Sequence, residues 1–170
     1  MTLTIVTAVV ITALVLGIGG FVSQPGPWYA NLRKPSWNPP NWLFGPAWAV
    51  ILGLAAWAGV LAWTYAPSAG ARETIALLFA VNIILHLLWS PLFFNWKRPD
   101  WALIEVPFLW LSILALIIAV TPISSLAGWL LAPYLLWVAF AAYLNWVIVR
   151  MNPDIASAAA ARNAATGPSA

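Results

Sequence analysis

The chain has 170 residues, 64% of them hydrophobic and 6% charged, with a formal net charge of +3, and so little charge excludes an ordinary water-soluble domain. It has no cysteine, one histidine and four acidic residues, which excludes disulfides, thiolate metal sites and cysteine nucleophiles and leaves no protein-held metal site to expect. The seven cationic residues never cluster beyond pairs, a pattern of membrane topology signals rather than of a nucleic-acid surface.

A bilayer crossing needs about 20 apolar residues. Stretches of that kind lie near residues 3–22, 44–65, 74–94, 101–120 and 126–149. They predict an all-α integral membrane protein, a five-transmembrane-helix bundle occupying residues 1–150. Residues 151–170 form a polar, Ala-rich tail, expected to be disordered. The first stretch lacks a basic leader, is too long for a signal peptide and has no small-residue cleavage site after it, so it reads as a retained helix.

After the first span the chain reads WYANLRKPSWNPPNWLFGPAW from Trp28 to Trp48. Pro35, Pro39 and Pro40 fix their own φ and push the preceding residues out of helix, so this loop cannot be one continuous helix. Tryptophan brings a large apolar plate and a single N–H donor, which suits a greasy site that must orient its occupant.

In the third span Asn82, His86 and Trp89 share a helical face. Polar groups at mid-membrane either hydrogen-bond between helices or meet a cavity, so the pair Asn82 and His86 reads as interhelical glue, as direct ligand contact, or, for His86, as an axial haem ligand. The fourth span aligns Trp101, Glu105, Phe108 and Ser112. Glu105 is expected to bond His86 or the Trp-rich loop, or to anchor a polar ligand group. In the fifth span Tyr134, Trp137 and Ala141 share a face, and Pro46, Pro91, Pro107 and Pro133 fall within or at the starts of spans, where freed carbonyls and kinks favour an internal cavity. The small-residue pairs Ala13 and Gly17, Ala49 and Gly53, and Ala55 and Gly59 permit close helix contacts.

Arg33, Lys34, Lys97, Arg98, Arg150 and Arg162 fall on one side of the five-span topology and Arg72 on the other. The positive-inside rule then puts the C-terminus and the Trp-rich loop in the cytoplasm and the N-terminus outside. An interfacial belt accounts for Trp42, Trp63, Trp96, Trp101 and Trp129, but Trp48, Trp89 and Trp137 are set deeper.

The stretch from Trp28 to Trp48 resembles the signature of the TspO/MBR family of tryptophan-rich sensory and translocator proteins, and so do LHLLWSPLFF from Leu85 to Phe94 and PYLLWVAFAAYLN from Pro133 to Asn145. The resemblance covers nearly the whole chain apart from the tail. It implies a five-helix bundle, commonly a homodimer, with a pocket near the cytoplasmic side capped by the first loop, and a porphyrin-type ligand (protoporphyrin IX or haem) with no obligatory cofactor. Bacterial members are linked to tetrapyrrole and stress responses, and the expectation here is a bacterial multi-pass protein whose partners are a porphyrin, membrane lipid and a second copy, not nucleic acid. By motif position Tyr29 and Trp48 belong to the loop and pocket wall, Trp101 and Trp137 to the lining. With Trp37, Asn82, His86, Trp89 and Glu105 they make the expected ligand-binding set. Asn82, His86 and Glu105 depart from the family's usual Gln, Asn and Asp, which changes the donors at mid-pocket.

Three roles follow from this reading. One is a receptor or carrier for porphyrin-type tetrapyrroles, with propionates reaching Arg33 or Lys34. Another is light-dependent porphyrin breakdown with Trp48 and Trp137 as electron donors, and the third is a ligand-sensing regulatory scaffold. Sterol binding is not expected, because six residues separate Tyr143 from Arg150, one more than the cholesterol-contact pattern admits.

Overall fold

A computed structural model describes residues 1–155, and the expectation for the tail falls mostly outside them. The helices are α1 (Thr2–Val22), α2 (Pro27–Asn31), α3 (Asn41–Tyr65), α4 (Ala69–Ser90), α5 (Pro99–Val120) and α6 (Ser125–Met151), with a π-helical turn at Pro91–Asn95. Five of these stretches are long and apolar enough to cross a membrane, with α4 and the π turn counting as one.

The expected spans are present, and the helices extend past them for local reasons. Ser68 caps α4 by accepting from the Ala71 N–H at 3.1 Å, so the helix takes in Arg72 and Glu73 before its apolar stretch begins. Ser124 caps α6 in the same way from Ala127 at 3.3 Å. Pro133 lies inside α6, and Pro27 and Pro99 occupy first-turn positions, where the missing N–H has no partner to lose. Pro91 ends the regular ladder of α4. The Trp96 N–H reaches back to the Pro91 carbonyl at 2.9 Å, five residues away, and this wide turn sets Phe93 and Phe94 toward the bundle.

α5 packs on both α4 and α6, α6 also packs on α3, and α3 on α1; α4 closes the ring through α1 and α3. The core is densest at the end away from the Trp-rich loop, where Ala58, Ala62, Ile113, Leu116, Val120, Ala127 and Leu131 are fully buried. Small residues let the helices meet there. A Cβ on Gly128 would overlap Thr121 Oγ1, and one on Gly59 would lie 3.3 Å from Phe79. Of the three small-residue pairs, Ala55 and Gly59 make a close contact, whereas Gly17 and Gly53 face open space.

Outward-facing positions are apolar on every span, as at Leu14, Val50, Ile84, Ile104 and Leu136. Such a surface suits hydrocarbon, not water. At the opposite end from the dense core the Trp-rich loop lies against the bundle. There the Arg33 N–H donates to Asn152 Oδ1 at 3.0 Å, and Asn152 Nδ2 donates to the Arg33 carbonyl at 2.9 Å and to the Ile148 carbonyl at 2.7 Å. The loop and the end of α6 are therefore on the same side, and residue 152 of the expected tail is part of the fold.

Candidate functional site: an aromatic cavity under the Trp-rich loop

A cavity of about 460 Å³ lies between the helices under the loop. This lies within the roughly 300–1,000 Å³ usual for small-molecule sites. Its walls come from all five spans and from α2. α1 presents Val15, Leu16, Gly19 and Gly20, and Ser23 follows just past its end. α3 presents Phe44, Trp48 and Leu52, and α5 presents Val106 and Leu109. α4 and its π turn add His86, Trp89, Phe93 and Phe94, and α6 adds Trp137, Ala141 and Asn145. Tyr29 on α2 closes the loop side.

The rings hold one another mainly edge to face, the arrangement their quadrupoles favour. Trp48 stands at 85° to Trp137 with centroids 6.2 Å apart, and Phe44 meets Trp137 at 6.0 Å and 67°. Trp89 stacks on Phe93 at 5.0 Å, and Phe93 and Phe94 carry Tyr29 at 6.1 and 5.5 Å. The Nε1 atoms of Trp89 and Trp137 are buried and have no acceptor among the described residues. Both donors are sealed within the wall rather than open to the cavity, so the two indoles present ring surface to it. The His86 ring lies 4.7 Å from Trp48 at 74°, with Nδ1 3.2 Å from the Tyr134 hydroxyl. Ser23 Oγ donates to Ser90 Oγ at 2.8 Å and ties α1 to α4 beside the cavity.

The loop is built to stay closed. Lys34 Nζ donates to the carbonyls of Tyr29 at 2.6 Å, Leu32 at 3.0 Å and Ala30 at 3.3 Å, capping the C-terminal end of α2, and it lies 4.6 Å from the Tyr29 ring centre. Desolvation lowers the pKa of this ammonium, and burial raises that of the Tyr29 phenol, a rise partly offset by Asn38. Trp37 stacks on Tyr143 at 5.5 Å and 8°, pinning the loop to the outer face of α6.

Of the expected ligand-binding set, Tyr29, Trp48, His86, Trp89 and Trp137 line the cavity, whereas Trp37, Asn82, Trp101 and Glu105 do not. Trp37 is 44% exposed outside the cavity. Trp101 is also 44% exposed, with the Arg98 guanidinium 4.4 Å from its ring centre and Trp96 at 5.9 Å, so it belongs to the interfacial belt. Asn82 shares the helical face of His86 but lies a turn deeper, about 6 Å along the axis. There α4 meets α5, and Asn82 Nδ2 donates to Ser112 Oγ at 2.8 Å, the interhelical alternative. Glu105 is buried, yet neither carboxyl oxygen has a hydrogen-bond partner among the described residues, so the expected bond to His86 or the loop is not made and Tyr134 takes the imidazole. Lys34 is engaged by backbone carbonyls, and Arg33 borders a separate cleft with Trp28 and residues 151–155. Neither cation lines the cavity.

Sequence reasoning left out Phe44, Leu109 and the α1 wall. The run of small residues Gly19 and Gly20 in an otherwise bulky span was the available signal for that wall.

Apolar faces on five spans around an aromatic cavity, closed at one end by a tethered loop, define a multi-pass integral membrane protein with an internal small-molecule-sized chamber. The profile of the TspO/MBR family matches residues 6–151. The tryptophan-rich protein TspO of Chlorobaculum tepidum is 39% identical over 145 residues, covering 82% of this chain and 90% of that protein. Protein CrtK of Rhodobacter capsulatus is 34% identical over 156 residues, 90% of this chain and 96% of its own, and the human translocator protein is 34% identical over 126 residues, 74% and 75%. The chain belongs to the TspO/MBR family.

Proposed function

We propose that the protein is a membrane receptor or carrier for porphyrin-type tetrapyrroles with a role in tetrapyrrole or stress regulation. The observation that carries this reading is the cavity wall of Trp48, Trp89, Trp137, Phe44, Phe93 and Phe94, broad aromatic surfaces suited to a flat macrocycle whose binding is driven by apolar burial. Names of relatives that speak of sensing and translocation agree with a ligand-handling role. The proposal includes a homodimer in the bilayer with the end that carries Arg33, Lys34, Lys97, Arg98 and Arg150 in the cytoplasm, on the strength of its charge excess. Titrating the detergent-solubilised chain with metal-free protoporphyrin IX in the dark tests the reading: tryptophan fluorescence should fall saturably, and the affinity should weaken in Trp137→Phe. Linear, non-saturating quenching would refute it.

A second reading has one observation in its favour. Trp48 and Trp137 lie 6.2 Å apart and both line the cavity, so either ring would border a macrocycle held there and could serve as electron donor to its excited state. Illumination in air should then bleach bound protoporphyrin faster than in empty micelles, and Trp48→Phe should slow bleaching while binding persists. Equal bleaching with and without protein would dismiss this role.

A further inference from the structure

His86 brings to the cavity a chemistry that its other walls lack. The rings around it offer apolar faces, whereas a neutral imidazole offers a nitrogen lone pair. Two contacts fix the ring: Nδ1 pairs with the Tyr134 hydroxyl at 3.2 Å, and Trp48 stands against it at 4.7 Å. Nε2 has no hydrogen bond to the protein among the described residues and is not one of the sealed, unpaired atoms. His86 is part of the cavity wall. When Nδ1 carries the proton and donates it to the Tyr134 oxygen, Nε2 holds the lone pair. A metal at Nε2 selects that tautomer.

We propose that His86 Nε2 is the axial ligand for the metal of a bound metallotetrapyrrole, with Tyr134 as a positioning residue. A macrocycle supplies four nitrogen ligands of its own, so a single imidazole completes the protein's share, as in proteins that hold haem iron by one histidine. A bare metal ion would find too few ligands here, since the described residues contain no group of three His, Cys, Asp or Glu side chains able to hold one. The Nε2 lone pair forms the bond, the proton stays on Nδ1 and is shared in the hydrogen bond to the Tyr134 oxygen, and no electron is transferred. A partner at the second ring nitrogen is what metal-bound histidines usually have, because it fixes tautomer and orientation together. This inference rests on the tetrapyrrole reading and narrows it: the cavity distinguishes a metal-bearing macrocycle from its metal-free form.

The test compares ferric haem with metal-free protoporphyrin IX on the full chain in detergent. In the wild type, haem should show the shifted Soret band and low-field spectroscopic signature of histidine ligation, and should bind more tightly than the metal-free ring. His86→Asn should lose the shift and the preference for haem over metal-free protoporphyrin, and saturable quenching by the metal-free ring, whatever its affinity, shows that the variant is folded. His86→Gly with added imidazole should regain the shift. Tyr134→Phe should keep ligation but lower haem affinity by roughly 10–100-fold, leaving the metal-free ring unaffected. An identical haem spectrum and affinity in wild type and His86→Asn, with metal-free protoporphyrin still bound, would overturn the axial ligand alone. Absence of saturable binding by either ring would overturn the tetrapyrrole reading with it.

Discussion

Replacing Asn152 with alanine should loosen the Trp-rich loop without unfolding the bundle. The side chain makes two hydrogen bonds to Arg33, at 3.0 and 2.9 Å, and a third, at 2.7 Å, to Ile148 on its own helix. The first two join the loop to α6 and vanish when the loop lifts; the third does not depend on the loop. Both tethers are solvent-exposed, which places each at the lower part of the roughly 0.5–1.5 kcal/mol net value of a hydrogen bond, so their joint loss shifts loop opening by about 1–2 kcal/mol, roughly 5–30-fold. Hydrogen exchange reads this directly. Amides of α2 and of residues 32–38 should exchange faster by that factor, while those of α5 keep their protection. Ligand release should quicken along with loop exchange. Unchanged exchange in residues 27–38 would refute the reasoning, because the loop would then be held by Trp37 on Tyr143 and by Lys34 on α2 alone.

Two further outcomes follow from the packing. Gly128→Ala should destabilise the bundle by about 1–3 kcal/mol, since the added methyl overlaps Thr121 Oγ1, and combining it with Thr121→Ala should recover part of the loss in a double-mutant cycle of thermal unfolding. Asn82→Ala should lower stability by about 0.6–2 kcal/mol by removing the bond to Ser112, yet leave protoporphyrin affinity unchanged in the same quenching titration. A large affinity loss would mean that Asn82 reaches the ligand after all.

The spans were legible because hydropathy and length are nearly sufficient to define a membrane helix. The ends shifted where a cap or proline decided them, as Ser68 does for α4. Depth also separated the tryptophans. Trp42, Trp63, Trp96, Trp101 and Trp129 are exposed near the ends, whereas Trp48, Trp89 and Trp137 line the cavity. Family position alone placed Trp101 in the pocket, and the structure turns it outward. Helical spacing grouped Asn82 with His86, because periodicity reports which face a residue is on and says nothing of where along the axis a cavity ends. Glu105 fell to the same limit. Its face could be read, but the partner it lacks depends on how α5 packs. The π turn was beyond sequence reasoning. Pro91 signals an interruption, but the extra residue that turns Phe93 and Phe94 inward leaves no mark in the pattern.

Filling the chamber tests the central claim most directly. Ala141 lines the cavity on α6, and Ala141→Trp puts a large ring where the macrocycle is placed. Helicity and thermal stability should persist while saturable protoporphyrin quenching disappears. Wild-type affinity in a folded Ala141→Trp protein would show that the tetrapyrrole binds elsewhere and would contradict the account.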